Sequence, residues 1–294
     1  MSQAGSEPAD PTGEQGGERP LIEVVDLVKR YEDKTVLGGL SLRVERGDTV
    51  VILGGSGSGK STFARLLLGL ERPTSGHIFI EGVDIARASE MALQKVRHRF
   101  AMVFQKYALL DSLTVYDNVA FPLREHTHMA EARIGERVLT QLAELGLEAA
   151  ARKLPGELSG GMAKRVGIAR AMVMEPEILV YDEPTSGLDP ITSRTVDELI
   201  ERMREEHLVT SIVITHDMLT AYSVADRVIL LARGNIAADA RPEDFFTSRD
   251  EEIHTFVLSS GLDPEHLPPR RQRRSSWEIR AMWAARPPGK ATGQ

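Results

Sequence analysis

The 294-residue chain has no cysteine. Disulfides and thiolate metal sites are therefore excluded, a composition that suits a cytoplasmic protein. Long apolar runs are also missing: stretches such as TVVIL and RVILLA fall far short of the roughly 20 residues a membrane span needs, so any membrane role has to come through a partner. The first 20 residues, MSQAGSEPADPTGEQGGERP, are polar and acidic. With no apolar stretch they do not resemble a secretory signal, and they read as a disordered leader. An excess of basic charge is lacking too, since 36 Lys and Arg face 43 Asp and Glu for a net charge of −7. That balance argues against a general nucleic-acid binder. No internal repeat is visible.

What the chain does have is 41% hydrophobic residues, enough for a sizeable core. Short continuous apolar runs at TVVILGG (49–55), RFAMVF (99–104), EILVYDEP (177–184) and TSIVITH (210–216) predict strands buried on both faces, as in a parallel sheet. Helical patterns lie between them, including the stripe Ile134, Val138, Leu142 and Leu145 closed by Gly146. Strand and helix therefore alternate, which predicts an α/β fold. LIEVVDLVKRY with LGGLSLRVERGD, and RVILLARGNIAAD around Arg233-Gly234-Asn235, alternate like antiparallel strands at an edge. Residues from about 106 to 170 have no strong strand run and read as a helical subdomain.

Two stretches have the chemistry of anion binding. GGSGSGKST at 54–62 fits G-x-x-x-x-G-K-[ST] and opens a helix directly after an apolar strand. Gly54, Gly55, Gly57 and Gly59, with Ser56 and Ser58 between them, permit a tight turn whose N–H groups cradle phosphate. Lys60 reaches the β- and γ-phosphates, and Ser61, followed by Thr62, ligates Mg²⁺. LSGGMAKR at 158–165 places Ser159, Gly160 and Gly161 at a second helix N-terminus, where unpaired N–H groups and the helix dipole favour an anion. One chain thus has two phosphate-binding helix ends but only one lysine-bearing loop.

The run LVYDEP ends a strand in two adjacent acids, costly in a core unless a cation or a reaction uses them. Asp182 fits a Mg²⁺ shell through water, and Glu183 fits polarisation of the water that attacks the γ-phosphate. His216 ends another apolar strand, at the sheet end where α/β folds carry their ligands, and fits a γ-phosphate contact.

GGSGSGKST, LSGGMAKR, LVYDEPTSGLD and VITHD occur in the order and spacing of the ATP-binding-cassette (ABC) ATPases, which the chain resembles over about residues 21–245. The resemblance implies a P-loop NTPase core with a mixed sheet, an antiparallel β edge and a helical subdomain, and it implies ATP and Mg²⁺. It further implies that Tyr31 stacks on adenine, that Gln105 links nucleotide, metal and partner, that Asp189 contacts a second subunit and that His216 is the switch histidine. In this family Ser159, Gly160 and Gly161 complete the site of the opposite subunit, so two chains sandwich two ATP molecules. Transmembrane permease subunits are implied as further partners, with the chain peripheral at the cytoplasmic face of the inner membrane.

Met162 stands where the family usually has glutamine. Together with NVAFPLREH at 118–126, it resembles the ATPases of the MCE and maintenance-of-lipid-asymmetry (Mla) systems, which move phospholipids or related lipids across the envelope. That resemblance implies an MCE-type substrate-binding protein in the same system. An importer of amino acids or other small solutes would use the same catalytic residues. A soluble ABC ATPase of DNA or ribosomes would need a coiled-coil insertion or a second cassette, and the chain has neither. The apolar segment KYALLDSLTVYDNVAFPL, with Tyr107 and Leu109, reads as subdomain core or as a groove for a permease helix.

The chain accordingly divides into a leader (1–20), a cassette (21–260) and a basic tail (261–294). The tail holds both tryptophans, Trp277 and Trp283, among arginines. Three fates are open to it: a solvated end, contact with anionic lipid head groups, or a groove on the neighbouring subunit. The last is favoured because SSWEIRAMWAAR can form a short helix from a Ser276 cap with Glu278 in its first turn.

Overall fold

The computed structural model describes residues 19–270 and 273–285. The leader read at residues 1–20 lies almost wholly outside the described residues, as does the tail beyond 285. The chain opens on β1 (Ile22–Tyr31), β2 (Lys34–Val44), β3 (Thr49–Leu53), α1 (Lys60–Leu67), β4 (Ser75–Ile80), β5 (Val83–Asp84), α2 (Glu90–Arg97) and β6 (Phe100–Val103). Three helices follow with no strand among them, α3 (Val115–His126), α4 (Glu131–Glu144) and α5 (Gly160–Met172). The chain then alternates through β7 (Ile178–Asp182), α6 (Pro190–His207), β8 (Thr210–Ile214), α7 (Met218–Val224), β9 (Arg227–Ala232) and β10 (Asn235–Ala240). It closes with α8 (Pro242–Phe246), α9 (Glu251–Ser259) and α10 (Ser276–Ala284).

Six strands form one sheet in the order β10-β9-β3-β8-β7-β6, parallel except for the β9–β10 hairpin. Its interior strands are buried almost throughout and mainly apolar because both faces are covered. Val50 and Ile52 of β3 enter one core, while Val51 and Leu53 enter the other. A second, antiparallel sheet, β2-β1-β4-β5, packs over the first core. The predicted stripe of α4 is buried at Ile134, Val138 and Leu142, and Gly146 follows the helix at φ 64°, a left-handed stop that glycine makes without strain.

The parallel order brings the C-terminal ends of β3, β7 and β8 side by side, so the loops after Leu53, Asp182 and Ile214 share one edge of the sheet.

The tail departs from expectation. It docks on its own cassette. Ser275, not Ser276, is the N-cap of α10: its Oγ accepts from the Glu278 amide, and the Glu278 carboxylate accepts from the Ser275 amide at 2.7 Å. Ser276 instead accepts from Arg204 Nη2 at 3.3 Å. Ile279 is fully buried against the turn between β2 and β3, where a Cβ on Gly47 would lie 2.4 Å from Ile279 Cγ2. The Arg46 guanidinium lies 3.7 Å above the Trp283 ring, and Arg280 pairs with Asp48 at 3.2 Å. Arg204, also fully buried, donates to Gly47 O at 2.8 Å and Arg274 O at 2.9 Å and pairs with Asp226. Sequence reading saw a basic segment with two tryptophans and a short helix but had no access to its receptor, which is assembled from the β2–β3 turn, α6 and the entry to β9.

Candidate functional site

The loop after β3 is shaped by glycine at the positions where a side chain would collide. A Cβ on Gly54, at φ 156°, would meet Leu231 O at 2.4 Å, and one on Gly59, at φ 107°, would meet Leu37 Cδ2 at 2.5 Å. Toward solvent the opposite holds: Gly55 and Gly57 face open space. Gly59 caps α1 without any side-chain hydrogen bond, so the first amides of the helix are left for a ligand. Ser58 Oγ is buried with no partner. Ser56 and Ser61 are exposed, and Thr62 is buried beneath them.

Lys60 Nζ folds back to donate to Gly54 O at 2.6 Å and Gly55 O at 3.0 Å. Burial lowers its pKa, opposed by the charges of Glu183 and Asp182. Asp182 shows the converse, its pKa raised by burial and by Glu183. The acid pair and the lysine of the phosphate loop therefore act on one another at one sheet edge, where a phosphate with a bound cation would add charge of both signs.

Glu183 sits at φ 49°, a strained conformation for a residue other than glycine. Three donors converge on its Oε2: His216 Nδ1 at 2.9 Å, Thr215 Oγ1 at 3.2 Å and the His216 amide at 3.4 Å. The structure thus brings the acid and the histidine together, and it adds Thr215, which sequence reading missed. Thr185 Oγ1 donates to Asp217 at 3.0 Å, tying the segment after Glu183 to the segment after His216. Threonines following each strand-end motif were the available clue.

Gln105, just past β6, donates from Nε2 to Ser186 Oγ at 3.3 Å, which places it against the same segment. Lys164 was also missed. It is fully buried on α5, and its ammonium donates to Gln105 O at 3.1 Å and Glu183 O at 3.5 Å; burial lowers its pKa to about 8.

Ser159 is the N-cap of α5, accepting from the Met162 amide at 3.3 Å, and the helix start is exposed at Ser159 and Gly160. A Cβ on Gly161 would lie 2.7 Å from Thr192 Cγ2 on α6, so this glycine also allows two helices to approach. Asp189 caps α6, accepting from Ile191 N and Thr192 N at 3.0 Å each. Tyr31 is half-exposed at the end of β1, with its hydroxyl on Glu71 and Lys29 Nζ 4.7 Å from the ring centroid. Among the described residues no three His, Asp or Glu side chains form a metal cluster, so a divalent cation would depend on hydroxyl, amide and single-carboxylate ligands. Ser61, Gln105 and Asp182 supply such hard donors.

Comparison with known proteins identifies the family. The profile of the ABC transporter family matches residues 37–186. The chain is 40% identical over 244 residues to the intermembrane phospholipid transport system ATP-binding protein MlaF of Haemophilus influenzae, covering 83% of this chain and 92% of that one. It is also 40% identical over 257 residues to the methionine import ATP-binding protein MetN of Mesorhizobium japonicum, covering 86% and 69%. Among solved structures, a dimeric ATP-binding cassette in a post-hydrolysis state bound to ADP and Pi superposes with a TM-score of 0.69 at 31% identity, covering 75% of this chain and 98% of that one. Among the described residues no helix is long and apolar enough to cross a membrane. The chain belongs to the ABC transporter family, as an ATP-binding cassette whose ATP hydrolysis powers transport.

Proposed function

We propose that this chain is the ATPase subunit of a transporter that moves phospholipids or related lipids across the cell envelope. It would act as a homodimer on permease subunits at the cytoplasmic face of the membrane, together with an MCE-type substrate-binding protein. The observation that carries the reading is the 40% identity to an intermembrane phospholipid transport ATPase across 92% of that protein's length. Met162 is half-buried against the core, and Asn118 is fully buried on α3 with its amide donating to the Leu110, Leu113 and Thr114 carbonyls, so both shape the helical subdomain. A methionine importer relative of equal identity keeps solute import as the second reading.

In this reading the amides at the start of α1 bind phosphate oxygens, and Lys60 leaves its backbone carbonyls to reach the β- and γ-phosphates. Ser61, Asp182 and Gln105 would hold Mg²⁺, which supplies charge neutralisation at the transferred phosphoryl group. Glu183, oriented by Thr215 and His216, accepts a hydrogen bond from the attacking water. Ser159, Gly160 and Gly161, at the start of α5 with Ser159 and Gly160 exposed, present their amides to the nucleotide of a second copy, because no nucleotide-binding lysine of their own chain accompanies them. Asp189 and Tyr31 would contact the second subunit and the adenine.

The test is affinity purification of the chain with its membrane partners, followed by ATPase assay in nanodiscs. Recovery of an MCE-type protein, with ATPase stimulated by anionic phospholipid and indifferent to methionine, is the expected result. Recovery of a soluble amino-acid-binding protein with methionine-dependent ATPase would replace the lipid reading with the importer reading.

A further inference from the structure

A fully buried lysine with no carboxylate in contact is a costly residue to keep, and its ammonium has three protons to place. Lys164 places two of them on backbone carbonyls that belong to different parts of the nucleotide edge, Gln105 O at 3.1 Å and Glu183 O at 3.5 Å. The Tyr107 ring lies beside it, with the centroid 4.9 Å from Nζ. Asp182 and Glu183 favour its charged form against burial. Nothing in this geometry points the ammonium at a nucleotide, a role Lys60 already fills.

Both segments held by Lys164 are conformationally unfavourable. Glu183, Tyr107 and Ala108 have φ of 49°, 62° and 48°. Two turns further along α5, Arg170 donates to Tyr107 O at 3.0 Å and to Ala108 O at 2.6 Å, while the Tyr107 hydroxyl oxygen would lie 3.3 Å from a Cβ on Gly160. One helix therefore holds the strained loop after Gln105 and the strained acid Glu183, and it begins at the exposed Ser159-Gly160-Gly161 end.

We propose that Lys164 is a positioning residue that joins the Gln105 loop, the Glu183 backbone and the start of α5 into one unit, so that each chain transmits the state of its own nucleotide site to the site it completes on a second copy. The inference rests on the shared-site reading of the dimer. Loss of Lys164 then slows hydrolysis and uncouples the two sites without weakening ATP binding, because neither the phosphate cradle nor Lys60 is touched.

The experiment compares wild type, Lys164→Met and Lys164→Gln in the purified full-length chain, reading kcat, the Hill coefficient for ATP, the Kd of a fluorescent ATP analogue and the melting temperature. Lys164→Met is expected to lower kcat about tenfold to a hundredfold, as for removal of a charged buried donor. It should bring the Hill coefficient from about 2 toward 1 and leave Kd within about twofold. Lys164→Gln, which keeps two donors, should recover part of both kcat and cooperativity. Should Lys164→Met fail to fold, Arg170→Gln removes the second tether from the same helix and should lower the Hill coefficient with Kd unchanged. Wild-type kcat and cooperativity in Lys164→Met, or a loss of rate that follows melting temperature with no recovery in Lys164→Gln, overturns the proposal. ATP-dependent crosslinking of a Ser56→Cys chain to a Ser159→Cys chain separates the two layers: its absence would remove the shared-site reading itself, whereas crosslinking that persists beside a normal Lys164→Met removes only the role of Lys164.

Discussion

The nucleotide edge and the docked tail are both rich in charge, and they treat it in opposite ways. At the edge, Ser58 Oγ has no partner, Gly55 and Gly57 front open space, and Lys60 rests on the carbonyls of its own loop. Under the tail, Arg204 of α6 is spent on Gly47 O, Arg274 O, Ser276 Oγ and Asp226, and Ile279 leaves no exposed surface. Polar groups left waiting at a strained turn mark a place where a ligand completes the structure, whereas an arginine engaged as Arg204 is, with Arg273 paired to Glu201 and Asp226 beside it, marks a fastening. The cavity of about 830 Å³ between α6, α7 and the tail lies where the two meet, with Glu183, Ser186 and His216 at one side and Arg270 and Arg273 at the other.

The contrast predicts that mutations at the edge change rate and mutations in the tail change stability. Glu183→Gln should have the largest effect, lowering kcat by about 10²-fold or more while ATP binding persists, since the phosphate ligands remain. Turnover in single-site assays checks it, and near-normal hydrolysis would reject the role of Glu183. On the tail, Ile279→Ala should cost about 2–5 kcal/mol of docking or folding stability, as for other fully buried isoleucines. Denaturant unfolding and a red shift of tryptophan emission read it out, and ATP affinity should stay within about twofold. A tail variant that lost ATP binding as severely as stability would erase the distinction.

A smaller effect sharpens it through pH. Burial raises Asp197 of α6 from 3.8 to about 7, its Oδ1 has no partner, and the nearby acids Asp217, Glu201 and Glu198 act in the same direction. The folded chain therefore keeps a proton there that the unfolded chain releases near pH 4. Stability from this group falls as pH rises from about 4 to about 7, then levels off. Asp197→Asn should recover on the order of 2 kcal/mol at pH 8 and nothing at pH 4, measured by urea unfolding at both pH values. An equal change at the two pH values would show that Asp197 ionises freely in the fold.

Much of the fold was legible because burial on both faces leaves a continuous apolar strand. Thr49–Leu53, Ile178–Asp182 and Thr210–Ile214 all fall inside the predicted runs. The loops that carry the candidate site were legible for the same reason: they end those strands. Lys164 was not, since helical spacing alone does not say which face of α5 meets a carbonyl-lined interior. The tail's receptor was invisible because it joins residues as distant as Gly47 and Ile279, and a Ser-Ser pair does not reveal which serine caps the helix.

If each nucleotide site is completed by a second copy of the chain, the absence of cysteine makes a direct test possible. Ser56 and Ser159 are both exposed, one in the phosphate loop and one at the start of α5. In a Glu183→Gln background, a Ser56→Cys chain mixed with a Ser159→Cys chain should be joined by a short bis-thiol crosslinker when ATP is present. The expected product is a covalent dimer that depends on ATP and on both cysteines; crosslinking that is equal with and without ATP, or none between the two chains, would contradict the shared site.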